Sequence, residues 1–330
     1  MKAFARTAGI LLVGVVGLEI GLRLVLGLGS PPLLTAHPDI GYLFQADQNL
    51  TRFTNRVHIN GYHQRSDDMQ VADSSRVARV LFLGDSITWG GVLTDQQKTY
   101  PELFEDRLGP WCEAPAETLN ASAGSWGVGN LRAYAEEFGF FGSDLVVLQI
   151  GQADLTQPTS DSSSVGSRSM PRHRPPLALT ELVQRYLWPR LRSRVNQWFS
   201  ENVREASTSP IHRASVSRAD RSQFETNMKH LEALVEEIRT RGMPVAVLYL
   251  PERGSVLPGG GSPPALYDRF RDWIDRHGVP IVDLQARWEG VPNVKSYYRD
   301  YIHPNERGNQ AIAESLREVV EAERLAVCPQ

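Results

Sequence analysis

Ser86 and His303 are the side chains best placed in this sequence for covalent chemistry. Ser86 lies in Gly84-Asp85-Ser86-Ile87-Thr88, directly after the apolar run Val80-Leu81-Phe82-Leu83. That run reads as a buried strand, and Gly-Asp-Ser as the tight turn that ends it. Such a turn holds a hydroxyl at the carboxyl edge of a sheet, where open α/β folds place their ligands. A serine hydroxyl is a weak nucleophile at neutral pH and needs a base within hydrogen-bond reach. Asp300-Tyr301-Ile302-His303-Pro304-Asn305 offers one. An acid three residues ahead of a histidine can bend back within one loop to hold Nδ1–H. Nε2 is then free to take the serine proton.

The elements that must position these groups alternate as strand and helix. Strands are expected at Val80–Leu83, Glu117–Asn120, Leu145–Ile150, Val245–Leu250 and Pro280–Leu284. The clearest amphipathic helix is Ser222–Arg241, whose stripe runs through Phe224, Met228, Leu231, Leu234, Val235 and Ile238 to a stop at Gly242. Pro264–Arg276 and Glu306–Ala322 read similarly. With 330 residues the chain can bury one sizeable α/β core plus additions. A net charge of −3 gives no electrostatic case for nucleic acid. There is no Walker-type loop, no HExxH and no Cys/His cluster of metal spacing, and Gly124–Gly129 has the wrong spacing for a dinucleotide fingerprint. No metal or nucleotide cofactor is expected.

Lys2 and Arg6 precede an apolar stretch from Thr7 to about Leu28. As a helix it is long enough to span roughly 30 Å of hydrocarbon. Basic residues ahead of it put the N-terminus inside and the remaining chain outside. Glu19 and Arg23 interrupt the run four residues apart on one helix face, where they can pair. Residues 1–29 therefore read as a single-pass membrane anchor, the membrane being the one partner expected. A signal peptide cut after Gly29 is the alternative. Residues 30–78 read as a polar linker from Ser30-Pro31-Pro32 and a small β-rich lead-in over His37–Asp68, with some thirty residues of tether above the bilayer.

Gly-Asp-Ser near the start and Asp-x-x-His near the end resemble the SGNH/GDSL hydrolase superfamily, over about residues 79–330. The resemblance implies a three-layer, flavodoxin-like α/β fold with a five-stranded parallel sheet and a serine esterase mechanism without metal. It makes Ser86 the nucleophile, His303 the base and Asp300 the orienting acid. Asn120-Ala121-Ser122-Ala123-Gly124 matches the family's second block, so the N–H groups of Ser86 and Gly124 would form the oxyanion hole. The third block is normally Gly-x-Asn-Asp, whose asparagine is a third donor; here it reads Gly151-Gln152-Ala153-Asp154, with alanine in that place. Three readings follow: Gln152 or a lid side chain substitutes, two backbone donors suffice at a lower rate, or the site is a binding pocket. In the implied fold the first and last helices share one face of the sheet. That makes a Cys112–Cys328 bridge geometrically reasonable, with two free thiols as the alternative.

The implied activity is an extracytoplasmic hydrolase of acyl esters, O-acetyl or other short groups, on envelope glycans or lipids. The same triad would serve an O-acyltransferase, and a weak or inactive glycan- or lipid-binding module is the non-enzymatic alternative. No substrate-binding residue and no protein partner is assigned. Residues 157–219 exceed a minimal hydrolase and read as a lid. The Ser-rich stretch Thr159–Ser169 is expected to be mobile and exposed. The basic amphipathic stretch Leu177–Phe199, with Arg185, Arg190, Arg192 and Arg194 and a kink at Pro189, is expected beside the catalytic loop. It would pack on the domain or lie on an anionic substrate or membrane surface.

Overall fold

The computed structural model describes residues 2–69, 77–188, 190–191, 217–257 and 266–329. Four short strands come first, β1 (Leu34–His37), β2 (Gly41–Phe44), β3 (Gln48–Arg52) and β4 (Asn55–Ile59), paired as two antiparallel hairpins. The central sheet is formed by β5 (Ala78–Gly84), β6 (Ala116–Ser122), β7 (Leu145–Gly151), β8 (Val245–Leu250) and β9 (Ile281–Asp283). It is wholly parallel in the order β6-β5-β7-β8-β9. This is the flavodoxin-like order expected above, and β5, β7 and β8 are buried along their whole length, as parallel strands covered on both faces must be.

Helices Tyr100–Cys112 and Glu306–Ala322 cover one face, packing on Val80, Phe82, Val147 and Leu248. Helices Val128–Phe138, Arg218–Thr240 and Tyr267–His277, with the two hairpins, cover the other. The sequence-expected helix at Ser222 begins earlier because Ser217 and Asp220 cap each other's backbone N–H groups. Leu284, expected in the last strand, instead opens a short helix whose first N–H groups are accepted by the Asp283 carboxylate. Pro264 and the next residue lie outside the described residues. Cys112 ends the first layer helix and Cys328 follows the last, and the two are joined in a disulfide with Cα atoms 5.2 Å apart.

The N-terminal helix Lys2–Leu26 leaves Ile10, Leu11, Leu12, Val13 and Leu24 exposed, and Phe4–Leu26 is long and apolar enough to cross a membrane. The stretch after it is not the free tether expected. Leu28 is 1 % exposed, and Glu181 takes the Gly29 N–H at 2.6 Å and the buried Arg52 guanidinium at 2.5 Å. Gly27 sits against β3, where a Cβ would lie 1.8 Å from the Thr51 carbonyl oxygen, at a φ of +64°. No other residue fits both conditions. The Ser-rich stretch is likewise pinned at its start, since Asn130 both donates to and accepts from the Ser160 backbone. Beyond it come a short helix, Ala178–Glu181, and a π-helical turn, Leu182–Leu187. Pro189, Arg192, Arg194 and the rest of the basic stretch to Phe199 lie outside the described residues.

Candidate active site

β5 lies at the switch point of the sheet, with β6 on one side and β7 on the other, so the turn after it faces the crevice at the carboxyl edge. Gly84 makes that turn possible, because a Cβ there would lie 2.0 Å from Thr88 Oγ1 and 2.7 Å from Gln149 Oε1. Asp85 then caps the short helix Ser86–Trp89 by accepting the Ile87 N–H at 2.7 Å, which leaves Ser86 as its first residue. Gln149 Oε1 accepts from the Asp85 N–H and from Thr88 Oγ1, and Thr88 Oγ1 meets the Tyr100 hydroxyl at 2.7 Å. The turn that carries Ser86 thus stands on a buried polar base drawn from β7 and the first layer helix.

The partner groups arrive from the far end of the chain. His303 Nε2 lies 2.9 Å from Ser86 Oγ, and His303 Nδ1 lies 2.9 Å from Asp300 Oδ2. The other Asp300 oxygen accepts the N–H groups of Ile302 and His303. Partial burial works against ionisation of Asp300, but these N–H groups and the imidazole hold its carboxyl below the usual carboxylate range. The loop is fixed by its neighbours. Arg299 N–H donates to the His303 carbonyl, the Tyr298 hydroxyl to the Pro251 carbonyl, and Asn305 caps the final helix. The expected relay of Ser86, His303 and Asp300 is therefore assembled in space.

Register sets the height of the remaining groups. Gly84 of β5 pairs with Ser122 of β6, so Ser86 and Gly124 each lie two residues beyond a matched pair. Among the described residues neither backbone N–H donates to another group. The loop around Gly124 is held from two sides that the sequence reading did not connect with it. The Tyr42 hydroxyl donates to the Gly124 carbonyl, and Gln157 Nε2 donates to the Ser125 carbonyl at 2.6 Å. Burial, with the nearby Asp85 charge, pushes the Tyr42 phenol up to about 12, so it stays a donor at neutral pH. The only hint of Tyr42 in the sequence was a Gly-Tyr pair in a turn-rich lead-in.

The third block takes a different course. Ala153 opens a single 3₁₀ turn and packs partly buried on the core. Gln152 Oε1 accepts from the Glu252 N–H and Ser255 Oγ, which ties this side chain to the loop after β8. Asp154 is buried and accepts the Gly151 N–H at 2.6 Å. Burial first, and then the charge of Asp85, push its carboxyl well above the ordinary range, while burial pushes Asp85 up to about 7. Burial and the charge of Asp85 on Asp154 thus disfavour ionising both carboxyls together.

A cleft of about 320 Å³ opens beside Gly124, lined by Phe44, Trp89, Leu93, Met170 and Arg299 among others. Among the described residues no group of three or more His, Cys, Asp or Glu side chains gathers as metal ligands would.

The family model described as the GDSL-like Lipase/Acylhydrolase family matches residues 82–311, which run from β5 through both halves of the relay. The chain belongs to this family. Membership in the GDSL-like acylhydrolases supports carboxylic ester hydrolysis as its chemistry. Comparison with curated protein sequences gives no match. Among solved structures, the acetyl xylan esterase AlAXEase is 16 % identical, covering 73 % of this chain and 99 % of its own, at a TM-score of 0.46. An acetyl-xylooligosaccharide esterase from Geobacillus stearmophilus is 17 % identical, covering 73 % and 93 %, at 0.44. The lipase Lip_vut3 from a goat rumen metagenome is 16 % identical, covering 73 % and 96 %, at 0.42.

Proposed function

We propose that this GDSL-family protein is a membrane-anchored serine hydrolase whose catalytic domain works outside the cytoplasm. Ser86 attacks the carbonyl of an acyl ester while His303 takes its proton, with Asp300 holding the imidazole. The oxyanion rests on the N–H groups of Ser86 and Gly124. Its collapse breaks the ester bond and expels the alcohol, which takes the proton from His303. Water then releases the acyl group from Ser86 as the acid. The observation that carries this reading is the continuous relay from Asp300 through His303 to Ser86, with 2.9 Å at each step. The substrates that fit it are short acyl esters on glycans or lipids of the cell envelope, within reach of a domain fixed close to its membrane.

Two observations support retention of the anchor over cleavage after Gly29. Glu19 accepts the N–H groups of Ala178 and Leu179, and Arg23 donates to the Pro176 carbonyl. Removing residues 1–29 would strip these partners from the domain. Lys2 and Arg6, at the N-terminal end of the apolar helix, favour the N-terminus inside, on the cytoplasmic face of an inner membrane. A Cys112–Cys328 bridge suits the oxidising side.

Ala153 makes the enzyme a slow one, since a missing oxyanion donor costs about 2.7–4 kcal/mol of transition-state stabilisation. The test is hydrolysis of p-nitrophenyl acetate by the full chain in detergent. Turnover that disappears in Ser86→Ala supports the hydrolase. A folded parent that gives the same rate as Ser86→Ala excludes it, in favour of a binding module.

A further inference from the structure

Positive charge gathers at the joint between the N-terminal helix and the segment that follows β7. A cavity of about 250 Å³ opens there, lined by Arg168, Arg172, His173 and Arg185 together with Pro31 and Glu181. Glu181 is the one acid in its lining and is already committed to Arg52 and the Gly29 N–H. Arg185 stands 3.9 Å from Glu181 and donates to the Ser169 carbonyl at 3.3 Å. Arg168 and Arg172 are exposed, and among the described residues neither forms an ion pair. The cavity therefore carries positive charge that the described residues do not neutralise.

Its position says what would neutralise it. Pro31 follows the span Phe4–Leu26 by five residues. Glu19 and Arg23 grip Pro176, Ala178 and Leu179 from the last two turns of that span. At 1.5 Å per residue, Glu19 lies about 10 Å back from the helix end, so the gripped segment sits alongside the outermost turns of the span. Leu177, Val183, Leu187 and Trp188 are exposed beside it, a composition suited to the interfacial layer of a bilayer. The cavity is thus presented at the depth of the headgroups.

We propose that this cavity binds the phosphate of a membrane phospholipid, with Arg168, Arg172 and Arg185 donating to its oxygens. Arginine forks match phosphate geometry, and a desolvated headgroup gains from each of them. Arg185 also lines the cleft that holds Gly124 and Arg299, so the lipid is seated next to the acyl-transfer site. This inference rests on the reading of Phe4–Leu26 as a retained anchor.

The test uses the full chain in a neutral maltoside detergent. Binding of dioctanoyl-phosphatidylglycerol is measured by calorimetry beside dioctanoylglycerol, which lacks the phosphate, and inorganic phosphate. The proposal expects phosphatidylglycerol to bind at least about tenfold more tightly than either control. Arg168→Gln and Arg172→Gln should each weaken it by about tenfold, the scale of one charge-assisted hydrogen bond. The corresponding lysine variants should recover part of the loss. Equal binding by parent and double glutamine variant would overturn the site. Inorganic phosphate binding as tightly as the lipid would overturn the lipid assignment. The intact mass of the membrane-extracted chain is read in parallel, and cleavage after Gly29 would overturn the anchor and the proposal with it. Lipid binding without p-nitrophenyl acetate turnover would overturn the hydrolase reading and support this site.

Discussion

The loop carrying Asp300 and His303 and the loop following β7 flank the same serine, and they differ in what they give it. The first keeps each part of a proton relay, fixed by four backbone and side-chain bonds that leave the imidazole little choice of position. The second has alanine where the family places a donor, and its neighbour Gln152 is tied away to Glu252 and Ser255. On the proposed reading, proton transfer and oxyanion stabilisation are separable here, the relay being complete and the oxyanion left to backbone N–H groups. If the proposed hydrolase reading holds, the contrast teaches that the capacity to form an acyl-enzyme and the rate of forming it are set by different loops of the same sheet edge.

Substitutions that break the contrast outright should have the largest effects. Ser86→Ala should lower p-nitrophenyl acetate turnover to background, a loss on the order of a million-fold if the relay acts as it does in other serine hydrolases. Asp300→Asn should cost on the order of 10,000-fold, because the imidazole is then held in the wrong tautomer. A loss of less than tenfold would show that the backbone of the loop alone orients His303.

Ala153→Asn sharpens the contrast from the other side. If the missing donor alone limits the second loop, this variant should raise kcat by about 100-fold. A fall in kcat would show that the site has been rebuilt around alanine. Tyr42→Phe removes one hydrogen bond to the Gly124 carbonyl and should cost about 1 kcal/mol, a several-fold loss in kcat with KM unchanged.

The buried acids give a pH test that leaves the chemistry aside. Asp85 and Asp154 have carboxyls raised in the folded state, so the fold binds more protons than the unfolded chain between the ordinary carboxylate range and about 7. Stability contributed by the protonated pair is present at low pH and declines as pH rises through that window. Asp154→Asn keeps an acceptor for the Gly151 N–H and removes one titrating group. Its Tm should therefore fall less than the parent's between pH 5 and pH 8. An identical slope would mean that the pair does not titrate in this window.

The relay was legible because its parts are local in sequence: a strand ending in Gly-Asp-Ser, and an acid three residues from a histidine. The sheet was legible for the same reason, since β5, β7, β8 and β9 are built on apolar runs short enough to read alone. What escaped was carried by contacts between distant segments. The Tyr42 bond to Gly124 spans 82 residues, and the Glu181 bond to Gly29 spans 152. Neither residue type announces such a role. The expected tether failed on the same ground, since Ser-Pro-Pro reads as a linker until Arg52 and Glu181 are seen to clamp the chain just before it. Leu284 was misplaced by one residue because Asp283 reads equally as strand or helix cap.

The central claim is that Ser86 is a live nucleophile despite Ala153. Its most direct measurement is labelling of the full chain with a fluorophosphonate, followed by peptide mass spectrometry of the adduct. Such probes require an activated serine and do not depend on the identity of the acyl group. The account predicts a single adduct on Ser86 that is absent from Ser86→Ala and strongly reduced in His303→Ala. A folded parent chain left unlabelled would contradict it, and would make the relay a structural remnant around a binding site.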